Sequence, residues 1–227
     1  MAKLTFLGHA AFALSGDGLD SVIDPYLTGN DLTTFKPSDF GNVNYVFVTH
    51  GHADHIGDAV EIAQNAGATI VSNVEICSYL SALGAKCHFM QVGGSYRFPF
   101  GKVRMTPAWH GSGIRTDEGM IYGGMPAGFL IEIEGKKVYH AGDTGLTMEM
   151  NLLADDGVDV ALLPIGGNFT MDIEDAVRAV PMIKPKVVVP MHYDTFDVIK
   201  ADPVDFALRA AGMSEVNVLS VGESLEF

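Results

Sequence analysis

Cysteine, tryptophan and positive charge are all scarce in this chain. Its 227 residues include 2 cysteines and 1 tryptophan. Cys77 and Cys87 cannot build a disulfide framework, so the fold has to rest on an apolar core, and reduced thiols suit a cytoplasmic protein. Lysine and arginine number 14 against 28 aspartates and glutamates, a formal charge of −14. That surplus repels polyanions and anionic lipid surfaces, which argues against a nucleic-acid partner and against a membrane partner. No apolar run approaches the ~20 residues that cross a bilayer. The opening residues also lack the basic-then-apolar order of a secretory leader, so a cytoplasmic location is expected.

What is present suffices for a core. Hydrophobic residues make up 48% of the chain and charged residues 19%, and a chain of this length buries roughly 70% of its unfolded surface on folding. One domain over residues 1–227 is expected. The segment Leu4–Leu14, followed by the turn cluster Ser15-Gly16-Asp17-Gly18, reads as an opening β-hairpin. Further strands are expected at Tyr45–Thr49, Thr69–Ser72, Val103–Thr106, Phe129–Ile133, Lys137–His140, Val160–Leu163 and Val187–Val189. Helical spacing marks Asp58–Ala66 and Val74–Leu83, each stopped by a glycine. Asp172 caps another helix, which Pro181 should end or kink, and Asp202-Pro203 opens the last one. A β-then-α order in both halves predicts an α/β protein of layered sheets with helices outside. Gly111–Met125 has no clear periodicity, as expected of a lid loop.

The chemistry is concentrated in His50-Gly51-His52-Ala53-Asp54-His55, directly after the strand Tyr45–Thr49. A packed core would have to satisfy three imidazoles and a carboxylate at once, so metal ligation is the simpler account. In extended chain, positions i and i+2 share a side, which lets His50 and His52 grip one cation. Asp54 and His55 can point at a second as the chain turns towards a helix. His110, Asp143 and His192 each end a predicted strand, where ligands of α/β proteins gather. Five imidazoles and two carboxylates suffice for two divalent ions with open positions. Zinc is the first expectation, with manganese or iron as alternatives, and the lack of cysteine ligands argues against a closed structural site.

This order of motifs resembles the metallo-β-lactamase superfamily, whose hallmark is HxHxDH, a distant His, an Asp in a GDT-type turn and a last His. FLGHAAF at 6–12, IDP at 23–25, HAGDTG at 140–145, LPIGGNFTM at 163–171 and HYDTF at 192–196 are similar to its uncharacterised metal-dependent hydrolase branch, akin to ascorbate-phosphate lactonases. The resemblance implies a four-layered αββα sandwich with a dinuclear site at one edge. By the same match His50, His52 and His110 would hold the first metal, Asp54, His55 and His192 the second, and Asp143 would bridge them. Proteins of this kind often self-associate, so a homo-oligomer is compatible with the match.

Two divalent ions would generate hydroxide near pH 7 and polarise the oxygen that becomes negative, which makes the expected reaction hydrolysis of a small ester, lactone or phosphoester. Asp54 and Asp143 are the candidates for carrying a proton to the leaving group. His9, in its Gly-His-Ala turn, is a candidate to bind substrate or donate a hydrogen bond. Tyr193 could stabilise an oxyanion, Arg115 could grip an anionic substrate group, and Asn168 could donate an amide. Asp24 is the candidate to orient a ligand imidazole. Trp109 is expected to pack and fix the His110 backbone. The loops Tyr26–Phe40 and Asn168–Met171 would shape the pocket for a small-molecule substrate. The competing functions are a di-iron oxidoreductase and a non-catalytic metal-binding protein on the same fold. Intact His52 and His55 weigh against the first, and nothing in the sequence favours the second.

Overall fold

The computed structural model describes residues 1–227. Its N-terminal half builds one seven-stranded sheet from β1 (Lys3–Gly8), β2 (Ala11–Gly16), β3 (Leu19–Ile23), β4 (Tyr45–Phe47), β5 (Thr69–Asn73) and β6 (Cys87–Met90), with the C-terminal β16 (Ser224–Glu226) paired to β1. The second sheet has the spatial order β15 (Glu215–Val216), β14 (Val187–Met191), β13 (Val160–Pro164), β12 (Lys136–His140), β11 (Ala127–Ile133), β8 (Gly101–Pro107) and β7 (Ser95–Phe98). In each sheet antiparallel strands give way to parallel ones, β3 to β6 in the first and β12 to β15 in the second. The helices are α1 (Ala53–Ile56), α2 (Ala59–Ala66), α3 (Val74–Ala82), α4 (Ile173–Ile183) and α5 (Pro203–Ala210).

Period-two patterning decides which layer each side chain joins. Along the fourth strand and just beyond it, Val46 and Val48 join Ile62, Ile76 and Leu80 of α2 and α3 in one apolar cluster. Phe47, between them in sequence, turns the other way and meets Phe129 of β11 with ring centroids 5.4 Å apart. That contact lies in the layer between the sheets, which also holds Leu4, Phe12 and Ile131. Beyond the second sheet, Ala176, Val180 and Phe206 of α4 and α5 complete the same apolar body. The result is the four-layered αββα arrangement.

One local expectation needs correction and another is narrowed. Leu4–Leu14 is not one arm of a hairpin. It folds back on itself at His9-Ala10, so the opening is a three-stranded meander, β1 to β3. Of the two outcomes expected at Pro181, an end or a kink, the end does not occur: α4 runs on to Ile183. Only the bond from position 181 to the preceding turn is lost, while Val180 and Ile183, both 0% exposed, anchor the last turn in the core.

Candidate metal centre

Strand direction brings the candidate residues together. β2 is antiparallel to both β1 and β3, so β1, β3 and the parallel β4 all point the same way. By the same reasoning β8, β12 and β14 share a direction in the second sheet, with β11 opposed to them. His9, Asp24 and the His50–His55 segment follow β1, β3 and β4; His110, Asp143 and His192 follow β8, β12 and β14. All of them therefore meet at one edge of the sandwich.

Two groups of ligand-type atoms form there. His50, His52, His110 and Asp143 make one, and Asp54, His55, His192 and His9 the other; within each group the atoms lie within 4.8 Å of one another. In the first, His50 Nε2 is 3.0 Å and His110 Nε2 3.2 Å from His52 Nδ1. Asp143 stands between the groups. Its Oδ2 lies 3.4 Å from His110 Nε2 and 3.0 Å from His192 Nε2, and its Oδ1 3.3 Å from His55 Nε2. Asp54 Oδ2 is 3.9 Å from both His55 Nε2 and His192 Nε2.

These contacts are near but mostly unbonded. His55 Nε2, His192 Nε2 and Asp143 Oδ1 are buried without a hydrogen-bond partner, although opposite charges or dipoles lie within 3.3 Å. Buried polar atoms are otherwise paired almost without exception, so this cluster of orphans is what cation ligands look like when their lone pairs converge. The residues present fit a metal centre on that ground. Electrostatics agree. Burial pushes His50, His52 and His110 below the usual imidazole range, which keeps them in the neutral, ligating form. Burial opposes charge on His55 as well, yet the Asp143 and Asp24 carboxylates hold it well above that range. The same pull favours a cation beside it.

A surrounding set of contacts fixes the ligands. Asp24 Oδ2 accepts from His55 Nδ1 at 2.7 Å and from the Thr49 hydroxyl at 2.7 Å, while its Oδ1 accepts from the Thr49 amide at 2.8 Å. His9 bridges Thr195 Oγ1, at 2.8 Å, and Asp54 Oδ2, at 3.2 Å. Because Asp54 can only accept, His9 carries its proton on Nε2 and Nδ1 accepts from the Thr195 hydroxyl; burial, against the pull of Asp54, lowers its pKa to about 4. His9 thus stands behind Asp54. His140 donates from Nε2 to the Ala10 carbonyl and accepts from the Gly142 amide, tying the two sheets at the GDT turn. His9, Asp24 and His192 all sit at positive φ, 57°, 46° and 56°, strain that concentrates at this edge.

The expected lid is a β-hairpin, β9 (Gly113–Thr116) and β10 (Gly119–Tyr122), paired only with itself. Ser112 at its base accepts from the Gly51 amide at 3.0 Å and donates to the Gly123 carbonyl at 2.9 Å. A Cβ on Gly51 would lie 2.5 Å from the Ser112 carbonyl oxygen, so the glycine between His50 and His52 is there to let the hairpin base approach. Thr49, Ser112 and Thr195 were not singled out from the sequence, since each acts on a residue far away in the fold.

The ligands open into a pocket of about 390 Å³ whose other walls include Tyr26, Ala53, Phe169 and Phe196. Three candidates for substrate contact are absent from it. Arg115 is exposed on the hairpin, opposite Met120. Asn168 is exposed too, and its φ of 54° turns the chain so that the next residue, Phe169, lines the pocket instead. Tyr193 is half-buried and packed against the core. Trp109 fixes its neighbour through backbone contacts alone, accepting from Gly145 and donating to Thr144 Oγ1, while its side chain stays exposed.

Comparison with known proteins gives a consistent picture. A family model described as beta-lactamase superfamily domain matches residues 3–192. A UPF0173 metal-dependent hydrolase of Alkaliphilus metalliredigens is 50% identical, over 99% of this chain and 100% of its own length. Its counterpart in Pelotomaculum thermopropionicum is 51% identical, over 99% of each chain. Among solved structures, a metallo hydrolase from Ignicoccus hospitalis superposes with a TM-score of 0.90 at 41% identity, covering 100% of this chain and 99% of that one.

Proposed function

Given that the chain belongs to the metallo-β-lactamase superfamily, within its UPF0173 metal-dependent hydrolases, we propose that it hydrolyses a small ester, lactone or phosphoester at a dinuclear metal centre. One observation carries the reading: His50, His52 and His110 gather on one side of Asp143 and Asp54, His55 and His192 on the other, with Asp143 Oδ1 and two facing imidazole nitrogens left without hydrogen bonds. His50, His52 and His110 would hold one ion, Asp54, His55 and His192 the other, and Asp143 both. Bound there, divalent ions supply a water of pKa near 7 and positive charge for the oxygen that becomes negative. Zinc suits the imidazole-rich set first, manganese or iron next.

The protein's own part is positional. Asp24 and Thr49 lock His55, and His9 with Thr195 locks Asp54. Asp54, whose side chain is 25% exposed, is the carboxylate on the substrate side, whereas Asp143 lies deeper at 3%. The aromatic walls displace bulk water from the reacting centre. We take the substrate to be a small molecule and the location to be cytoplasmic, in keeping with the −14 charge and the scarce cysteine; no helix is long and apolar enough to cross a membrane.

The deciding experiment combines elemental analysis with Asp143→Ala, assayed on ester, lactone and phosphodiester reporters. About two metals per chain, and activity that disappears in the variant, are expected. Metal content and activity that survive the change would place the working site elsewhere.

A further inference from the structure

The pocket in front of the metal ligands is walled by aromatic rings and lined by no lysine or arginine. Tyr26 and Phe196 both stand edge-on to His9, with ring centroids 5.7 Å and 5.6 Å from it, and Phe169 lines the same space. Phe169 and Phe196 are 54% and 38% exposed, so they offer apolar area that nothing in the fold covers. None of the chain's 14 lysines and arginines lines the pocket. Arg115 is out on the hairpin, and Lys200, four residues from Phe196, is engaged by Asp197 at 2.7 Å. Besides the imidazoles, the only ionisable side chains that line it are Tyr26 and the two carboxylates already placed among the ligands, Asp54 and Asp143.

Sites that grip carboxylates or phosphates beyond the reacting group place an arginine fork or a lysine there. This pocket places aromatic rings there instead. Its volume of about 390 Å³ is near the lower end of the range for small-molecule sites, ~300–1,000 Å³. We propose that the enzyme selects substrates whose non-reacting part is uncharged and apolar, of the size of one aromatic ring, seated against Phe169, Phe196 and Tyr26. This rests on the hydrolase reading and narrows it to neutral esters and lactones carrying such a group. Bound metal ions attract the reacting oxygen of any substrate in the class, so discrimination falls to the remainder of the molecule.

The test uses the metal-loaded full-length protein and two matched esters, phenyl acetate and 4-acetoxybenzoate, which differ by a ring carboxylate. Their unreactive amide counterparts, acetanilide and 4-acetamidobenzoate, are titrated in parallel by calorimetry. The neutral ester is expected to have a kcat/KM higher by about tenfold or more, and the neutral amide to bind more tightly. Phe169→Ala and Phe196→Ala should raise KM for phenyl acetate several-fold at unchanged metal content, and Phe169→Lys should shrink or reverse the preference. Equal or better turnover of the carboxylate ester, or a KM indifferent to both phenylalanines, overturns the selectivity while leaving the hydrolase standing. If no reporter of any class is hydrolysed, the hydrolase reading falls. In that case the calorimetry alone decides the pocket, and equal binding of the two amides refutes its preference.

Discussion

Asp24 Oδ2 lies 2.7 Å from His55 Nδ1, and both side chains are fully buried. The carboxylate fixes which imidazole nitrogen is left to face Asp143, and it does so from a strained backbone with φ of 46°. Asp24→Asn breaks this arrangement whichever way the amide turns. Either its NH2 confronts the His55 N–H or the Thr49 amide loses its acceptor. Partners of metal-bound histidines typically contribute 10–100-fold to metal affinity. Zinc titration of the variant with a competing chelator should show a loss of about that size; an unchanged affinity would mean that Asp24 serves the backbone only.

How much of this was readable in advance follows from distance along the chain. His50, His52, Asp54 and His55 are legible because six consecutive residues carry them. His110, Asp143 and His192 are legible because each ends a recognisable strand. Their supports are not, since Thr49 meets Asp24 across 25 positions, Ser112 meets Gly51 across 61, and Thr195 meets His9 across 186. The β9–β10 hairpin was missed for a different reason. Only Ile114 among its strand residues is buried, so no alternation of apolar and polar residues announces it. Asn168 shows how a pocket residue hides next to the expected one: its side chain had the right chemistry, but its backbone sends Phe169 inward.

Gly51 offers a test of how tightly the hairpin is keyed to the ligand segment. Adding a methyl there meets the Ser112 carbonyl oxygen at 2.5 Å and Ile114 Cγ1 at 2.8 Å, neither of which is a flexible side-chain tip. Overpacking of this kind costs about 1–3 kcal/mol, and a chain of this size loses roughly 2–4 °C in Tm per kcal/mol. Thermal unfolding of Gly51→Ala should therefore fall by several degrees, with weaker metal retention because His50 and His52 shift with the backbone. An unaltered Tm would show that the hairpin base yields freely.

Metal removal should act on stability as well as activity. Ions that bind the folded state alone stabilise it by about 2.7 kcal/mol at a hundred times Kd, and here they also satisfy the buried orphans at His55, His192 and Asp143. Dialysis against a chelator is expected to abolish hydrolysis and lower Tm by several degrees. Added zinc should restore both. The core shared by the two sheets does not depend on the site, so circular dichroism of the stripped protein at 25 °C should remain that of a folded α/β chain. Hydrolysis that survived complete stripping would contradict the metal assignment.

Asn168 separates a backbone role from a side-chain role. Its φ of 54° lies in the left-handed region, where asparagine is tolerated, glycine is unstrained and alanine costs roughly 1–2 kcal/mol. The side chain is exposed and lines no part of the pocket, while Phe169, next in sequence, does. If the residue works by aiming the turn, Asn168→Gly keeps the geometry and leaves KM within about twofold of wild type. Asn168→Ala strains the turn, displaces Phe169 and raises KM by a larger factor at little change in kcat, the mark of lost uniform binding. If instead the amide itself touched substrate, both replacements would remove it equally and the two KM values would rise together. Steady-state kinetics of the pair on one aryl ester, with metal content held equal, decides between a residue that binds and a residue that bends the chain.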